Sequence, residues 1–166
     1  MEVIARRLES EEWPEASRLL ARSLHEPLFE RFEALPDAGA IVVGVFEGTD
    51  LLGAARAVPH AGCVCQIELP GDAGQRVRDY QAFLRANHPN QRHWFVGPVG
   101  VEPGRQGAGI GTAAMRALLD SIVGAGLVCV EAEDPVVAFF ERVGFRPTLR
   151  TPAPDGVPIT FLEAHV

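Results

Sequence analysis

The sequence has no long apolar run, no basic cluster, and a single tyrosine (Tyr80) among 166 residues. Without a run of about 18 apolar residues there is no membrane-spanning helix, and no signal peptide is visible, so a cytoplasmic protein without a membrane partner is expected. Charge sums to 15 − 22 = −7. With no basic patch to meet phosphates, the composition argues against a nucleic-acid partner, and none is expected. The three cysteines (63, 65, 129) are an odd number with two near neighbours, which does not fit a disulfide framework. Cys63-x-Cys65 with His60 invites a metal reading, but no fourth ligand stands at a zinc-like spacing. The expectation is therefore core or loop cysteines and no metal. Repeats, low-complexity tracts and linkers are absent. At this length, with 47% hydrophobic residues and mean hydropathy +0.08, the chain reads as one domain over residues 1–166.

What is present is a glycine-rich stretch after an apolar one. His93 to Val101 reads as a central strand, with Gly97-Pro98 expected to interrupt it as a bulge because proline cannot donate to a ladder. Glu-Pro-Gly-Arg follows, then Gln106-Gly-Ala-Gly-Ile-Gly111-Thr112, then a helical stripe at Met115, Leu118, Leu119 and Ile122. Three glycines at alternate positions each cost roughly 1 kcal/mol in a helix interior, less near an end. The cost has a use: bare backbone N–H groups at a helix start approach an anion closely, and the dipole favours negative charge. A flexible turn before a tight helix–strand contact is the plainer alternative. A P-loop would need Gly-Lys-Ser/Thr, and no lysine is near. Gly109-x-Gly111-x-x-Ala114, with Glu131 beyond it, fits a dinucleotide fingerprint. Against that, Glu-Pro-Gly-Arg-Gln separates strand from glycines, and too little chain follows Glu131 for further βα units.

Around this stretch the elements alternate. Val3 to Leu8 reads as a strand; Ser10 is a candidate N-cap for a helix with Trp13, Ala16, Leu19, Leu20 and Leu24 on one face. Pro27 to Leu35 suggests a short helix whose Phe29 and Phe32 are core or pocket residues. Ala40 to Glu47 and Leu51 to Val58 form a hairpin around Gly48-Thr49-Asp50. Residues 60–92 hold a helix from Asp72 to Ala86, with Val77, Tyr80 and Leu84 on its apolar face. Leu127 to Glu131 is a strand, and Asp134-Pro135 opens an apolar helix that Gly144 ends. Arg146 to Thr151 and Pro158 to Ala164 close the chain as a hairpin. This order predicts a mixed α/β or α+β sheet flanked by helices.

Val101-Glu-Pro-Gly-Arg-Gln106-Gly-Ala-Gly-Ile-Gly111 resembles motif A of the GNAT N-acetyltransferase superfamily. Phe139-Phe-Glu-Arg-Val-Gly-Phe145 resembles that family's Phe-Tyr-Glu-Lys-x-Gly-Phe segment, in family order and at a family-like separation. His93-Trp94 is similar to one branch, which includes antibiotic acetyltransferases. The resemblance covers residues 93 to 146 clearly. It implies a mostly antiparallel twisted sheet with splayed central strands, and acetyl-CoA as donor. The cofactor would meet Val99, Gly100, Val101, Gln106, Gly107, Ala108, Gly109, Ile110, Gly111, Thr112 and Phe140. It implies an amine acceptor, small or exposed on a larger molecule, and a monomer or homodimer. Residues 60–92 stand as an insertion: either a cover over the acceptor site or a packed surface helix.

The family's usual general acid is the tyrosine whose place Phe140 takes, and the asparagine often found near Glu133 or Asp134 is replaced by acids. For a base, neutral imidazole suits the pH, and His93 is the first candidate; Glu68 is weaker. The alternative for His93 is a solvent-exposed residue at a strand end. The alternative for the whole chain is a CoA-binding sensor or interaction module with little catalysis.

Overall fold

The computed structural model describes residues 2–24, 39–63, 65–66 and 74–166. The expectations for Pro27 to Leu35, for Phe29 and Phe32, for Glu68, and for the start of the 72–86 helix lie outside the described residues. The elements in order are β1 (Ile4–Arg7), α1 (Trp13–Leu24), β2 (Ile41–Glu47), β3 (Asp50–Pro59), α2 (Gln75–Asn87), β4 (Trp94–Val101), α3 (Ile110–Ser121), β5 (Leu127–Glu133), α4 (Asp134–Arg142), β6 (Arg146–Pro152) and β7 (Pro158–His165). Strand order is β1-β2-β3-β4-β5-β7-β6. The registered pairs run antiparallel except β4 with β5, so the mixed, mostly antiparallel sheet is as expected.

The chain divides into two compact units, Met1–Ala57 with Val96–Val123, and Val58–Phe95 with Gly124–Val166. In the first, α1 does not start from a Ser10 cap. Ser10–Glu12 forms a 3-10 turn, and the box is made by Glu9 and Glu12, with the Glu9 N–H donating to Glu12 Oε2 at 2.9 Å. Glutamate reaches back across the turn as in a capping box, and Arg6 fixes the same carboxylate at 2.6 Å. From there the helical period turns Ala16, Leu19 and Leu20 inward. They share a core with Leu8, Val42, Leu51 and Ala54. Leu24, expected on that face, is 39% exposed. Five consecutive residues of β2, Ile41 to Val45, are buried, so this strand is covered on both faces. The α1 stripe meets Val42, and α3 packs against β1 and β2.

In the second unit, β7 lies between β5 and β6, and α4 packs on all three. The turn from β6 to β7 closes through Ala153 N–H to Val157 O and Val157 N–H to Asp155 Oδ1. The inward residues of α2 are Leu84, as expected, and Gln81, whereas Tyr80, expected on the same face, is 36% exposed. Steps of four, three and four join Val77, Gln81, Leu84 and His88 into one stripe. A core gathers Cys63, Cys65, Leu84, Ala153, Ile159 and Phe161, with Phe83 and Phe95 against it. The Gly97-Pro98 pair does not interrupt β4, which runs unbroken from Trp94 to Val101. What ends there is the pairing: β4 and β5 are in register only at Trp94–Val128 and Phe95–Cys129. Proline has no N–H to offer a neighbour, and the hydrogen-bonded register stops two residues before Gly97-Pro98.

Candidate cofactor site

The segment after β4 is anchored at its start. Glu102 N–H donates to Leu52 O at 2.8 Å, and Arg105 N–H donates to Glu102 O at 3.0 Å. Arg22 holds the Glu102 carboxylate at 2.6 Å, and Arg105 pairs with Glu47 at 3.3 Å. Arg105 is thus engaged with a carboxylate rather than standing as a lone positive charge beside the glycines.

Beyond Arg105, residues 106 to 109 are exposed. Gly107 and Gly109 have φ of +83° and +81°, left-handed values that an L side chain occupies only with strain. A Cβ added at either would meet nothing within 4 Å, so space does not exclude side chains there; the backbone conformation does. Helix α3 begins at Ile110, with Gly109 as its N-cap and Gly111 inside the first turn. The first intrahelical bond is Ala113 N–H to Gly109 O at 3.0 Å. The N–H groups of residues 106 to 112 donate to no backbone carbonyl among the described residues. The first turn of α3 carries no acidic side chain, so the positive end of its dipole has no carboxylate of its own. Open space, unpaired donors and an uncompensated dipole suit a diphosphate. Within the segment, residues 106 to 109 are exposed while Ile110 is 1% exposed.

Preceding it, Val99 and Val101 are half-buried and alternate with buried Pro98 and Gly100. Gly100 is close-packed: a Cβ would fall 2.1 Å from Ser23 Oγ and 2.9 Å from Leu20 Cδ2. In α4, Phe140 is 5% exposed, with its ring edge-on to Phe139 and Phe145 at centroid distances of 5.1 and 5.7 Å. It packs as core and has no proton to give. Asp134 pairs with Arg150 at 2.8 Å, which holds its carboxyl below the usual range.

His93 requires a correction. It is neither an exposed strand-end residue nor part of β4; it precedes the strand and is 2% exposed. Its Nδ1 lies 2.9 Å from Gln91 O and 3.1 Å from His60 Nδ1. Its ring also meets that of His88, with centroids 5.5 Å apart. Nearby, Cys63 Sγ is 2.9 Å from Cys65 Sγ and 3.2 Å from His88 Nδ1. On its far side His88 Nε2 stands 3.4 Å from Glu131 Oε2. Burial lowers the His88 pKa, but hydrogen bonds with Cys65 and Glu131 outweigh it and raise the value to about 9. Burial drives Glu131 up, against the pull of His88. Hydrogen bonding within the thiol pair pushes Cys63 up and Cys65 down. A general base must reach the proton it takes, and this buried nitrogen faces thiols and imidazoles.

The sheet order and the glycine-bounded start of α3 define a mixed α+β fold with an exposed loop leading into a helix N-terminus. The chain belongs to the acetyltransferase (GNAT) family, whose family model matches residues 5–145. The family uses acetyl-CoA as donor, and the chain is an acetyl-CoA-dependent acyltransferase of this family. Solved structures share the fold. One is described as histone acetyltransferase HPA2 and related acetyltransferase from Corynebacterium glutamicum (17% identity, TM-score 0.73, covering 100% of this chain and 98% of that one). Another is the ribosomal-protein-S18-alanine N-acetyltransferase from Escherichia coli (16%, 0.66, 99% and 94%). A third is an aminoglycoside 6'-N-acetyltransferase complexed with coenzyme A (15%, 0.64, 98% and 96%). Among the described residues no helix is long and apolar enough to cross a membrane.

Proposed function

We propose that the chain, as a single catalytic domain, moves acetyl from acetyl-CoA to a primary amine, and that residues 106–112 hold the cofactor's diphosphate. The observation that carries this is the pair of exposed, left-handed glycines before α3, where an added Cβ would meet nothing within 4 Å. Gln106, Gly107, Ala108, Gly109, Ile110, Gly111 and Thr112 contribute main-chain donors; Val99, Gly100 and Val101 supply β4 backbone to the acyl-carrying arm. Acetyl-CoA supplies the activated acyl group. The chain's part is to hold it and to admit an amine. Two of the structures above are named for their acceptors, an alanine of ribosomal protein S18 and an aminoglycoside. A net charge of −7 favours a cationic acceptor. Three free cysteines suit a reducing compartment, and the cytoplasm is the location this reading implies.

Phe140 cannot protonate the leaving group, and that is survivable. A thiol of pKa near 8.5 departs as thiolate at pH 7 for about 2 kcal/mol. Deprotonating an alkylammonium of pKa near 10.4 costs about 4.6 kcal/mol at that pH, so the amine's proton is the larger obstacle. With His93 buried, the reading assigns that proton to water. Phe140 also sustains a second reading, a CoA-binding module with little catalysis.

A thermal shift with acetyl-CoA, CoA and NAD, followed by an amine panel, separates these. At a hundredfold excess over Kd the true ligand adds about 2.7 kcal/mol, a rise of roughly 5–10 °C at this chain length. A rise with both CoA forms and acetyl transfer to an amine is expected. A rise without transfer to any amine would establish the module; a rise with NAD alone would overturn the loop assignment.

A further inference from the structure

We propose that Cys63, Cys65, His88 and His93 bind one zinc ion in a closed, four-coordinate site that staples both ends of the segment between β3 and β4. This stands apart from the acetyl-transfer reading, and either can fail without the other. One donor atom from each residue lies within 4.8 Å of all the others. The four residues are 0%, 1%, 7% and 2% exposed. Two thiolates and two imidazoles are the donor set of tetrahedral zinc. Around such an ion, bonds of about 2.0 to 2.3 Å place neighbouring donors roughly 3.3 to 3.8 Å apart. The observed 2.9 and 3.2 Å open to that with shifts below about 1 Å.

His93 Nδ1 lies 2.9 Å from Gln91 O, which can only accept, and 3.1 Å from His60 Nδ1. In the tautomer that donates Nδ1–H to Gln91 O, Nε2 keeps its lone pair. That Nε2 is buried and has no partner among the described residues. An unpaired buried nitrogen is costly and calls for an explanation. A metal ion supplies one. In His88, Nε2 faces the Glu131 carboxylate at 3.4 Å and Nδ1 faces Cys63. A carboxylate behind a ligating histidine is the usual orienting partner in metal sites. Zinc would displace the proton shared between His88 Nδ1 and the thiols.

The fold brings the four donors from element ends. A 3-10 turn, His60–Gly62, leads into Cys63, whose N–H donates to His60 O at 3.1 Å. The next turn, Gln66 N–H to Cys63 O at 2.8 Å, presents Cys65. His88 is the C-cap of α2, its N–H on Leu84 O at 2.7 Å. His93 stands directly before β4. One ion would therefore tie the exit of β3 to the end of α2 and the entry of β4. The competing use of these groups is a Cys–His–Glu nucleophile. A nucleophile must meet its substrate, and both thiols are at most 1% exposed.

The test uses the full chain purified under reducing conditions. Metal analysis after reconstitution with zinc is expected to find about one zinc per chain. Replacement with Co2+ should give tetrahedral d–d bands and a thiolate-to-cobalt charge-transfer band. Chelation of the wild-type chain should lower Tm by more than about 5 °C, since a structural zinc contributes folding energy. Cys129→Ala should keep the zinc, and Cys63→Ser with Cys65→Ser should lose it. If the double variant fails to fold, the cobalt spectrum and chelation of the wild type decide. Less than a tenth of a zinc per chain, with Tm unchanged by zinc or chelator, overturns the site. Rapid alkylation of Cys63 or Cys65 in the folded chain, or a Cys63–Cys65 disulfide in reductant, would also overturn it.

Discussion

At the scale of single residues, Gly109 and His93 show how one position can mean opposite things in sequence and space. Gly109 is demanded by its φ of +81°, not by crowding, because a Cβ there would meet nothing within 4 Å. Substitution should therefore separate strain from ligand exclusion. Gly109→Ala should remain folded and lose about 1–2 kcal/mol, the cost of a left-handed L residue, measured by chemical denaturation. Gly109→Glu should pay a similar cost and also lose CoA binding, because its carboxylate would sit where the diphosphate belongs. Retained CoA affinity in that variant, measured by calorimetry, would move the phosphate site elsewhere. His93 was legible as a histidine beside a strand and as a candidate base. Its burial among Cys63, Cys65 and His88 follows from the path of the 60–92 segment, which no local spacing encodes.

At the scale of elements, periodicity found most of the helices and strands, and burial then chose among the residues of each stripe. For α1 the pattern Ala16, Leu19, Leu20 is the core face, and Leu19 is fully buried. Leu19→Ala should cost about 2–5 kcal/mol through lost contacts and a residual cavity, lowering Tm by roughly 4–20 °C at this size. A loss below about 1 kcal/mol would mean that α1 does not seal this core. For α4 the run Val136, Val137, Phe139, Phe140 reads as heavily apolar, yet only Phe140 is buried. Asp134 is the first helical residue, spent on Arg150 rather than on capping. For α2 the inward face passes through Gln81 and His88, two polar residues that an apolar count cannot nominate. The four-residue gap between His88 and His93 is the signal in the sequence that could have joined them to Cys63 and Cys65 as the proposed donor set.

At the scale of the whole molecule, chemistry at neutral pH must deal with the acceptor's proton. If water alone takes it, the rate follows the free-amine fraction. For an alkylamine acceptor, kcat/KM should then rise close to tenfold per pH unit from pH 7 to about 9. A profile that levels off between pH 6 and 7 would reveal a protein base with an imidazole-like or raised carboxylate pKa. The same profile should be unchanged in Cys129→Ala, whose thiol is buried and pushed well above its ordinary range by that burial.

The glycine positions, the helical stripe after them and the Phe-Phe-Glu-Arg-Val-Gly-Phe segment were enough to state the family and the donor, because contiguous residues encode a turn and the helix it opens. The strand order, with β7 placed between β5 and β6, was decided only by the folded chain, since pairing partners are chosen by burial across long separations. So was the meeting of two cysteines, two histidines and Glu131, whose electron pairs and carboxylate converge from five places in the sequence onto one buried point.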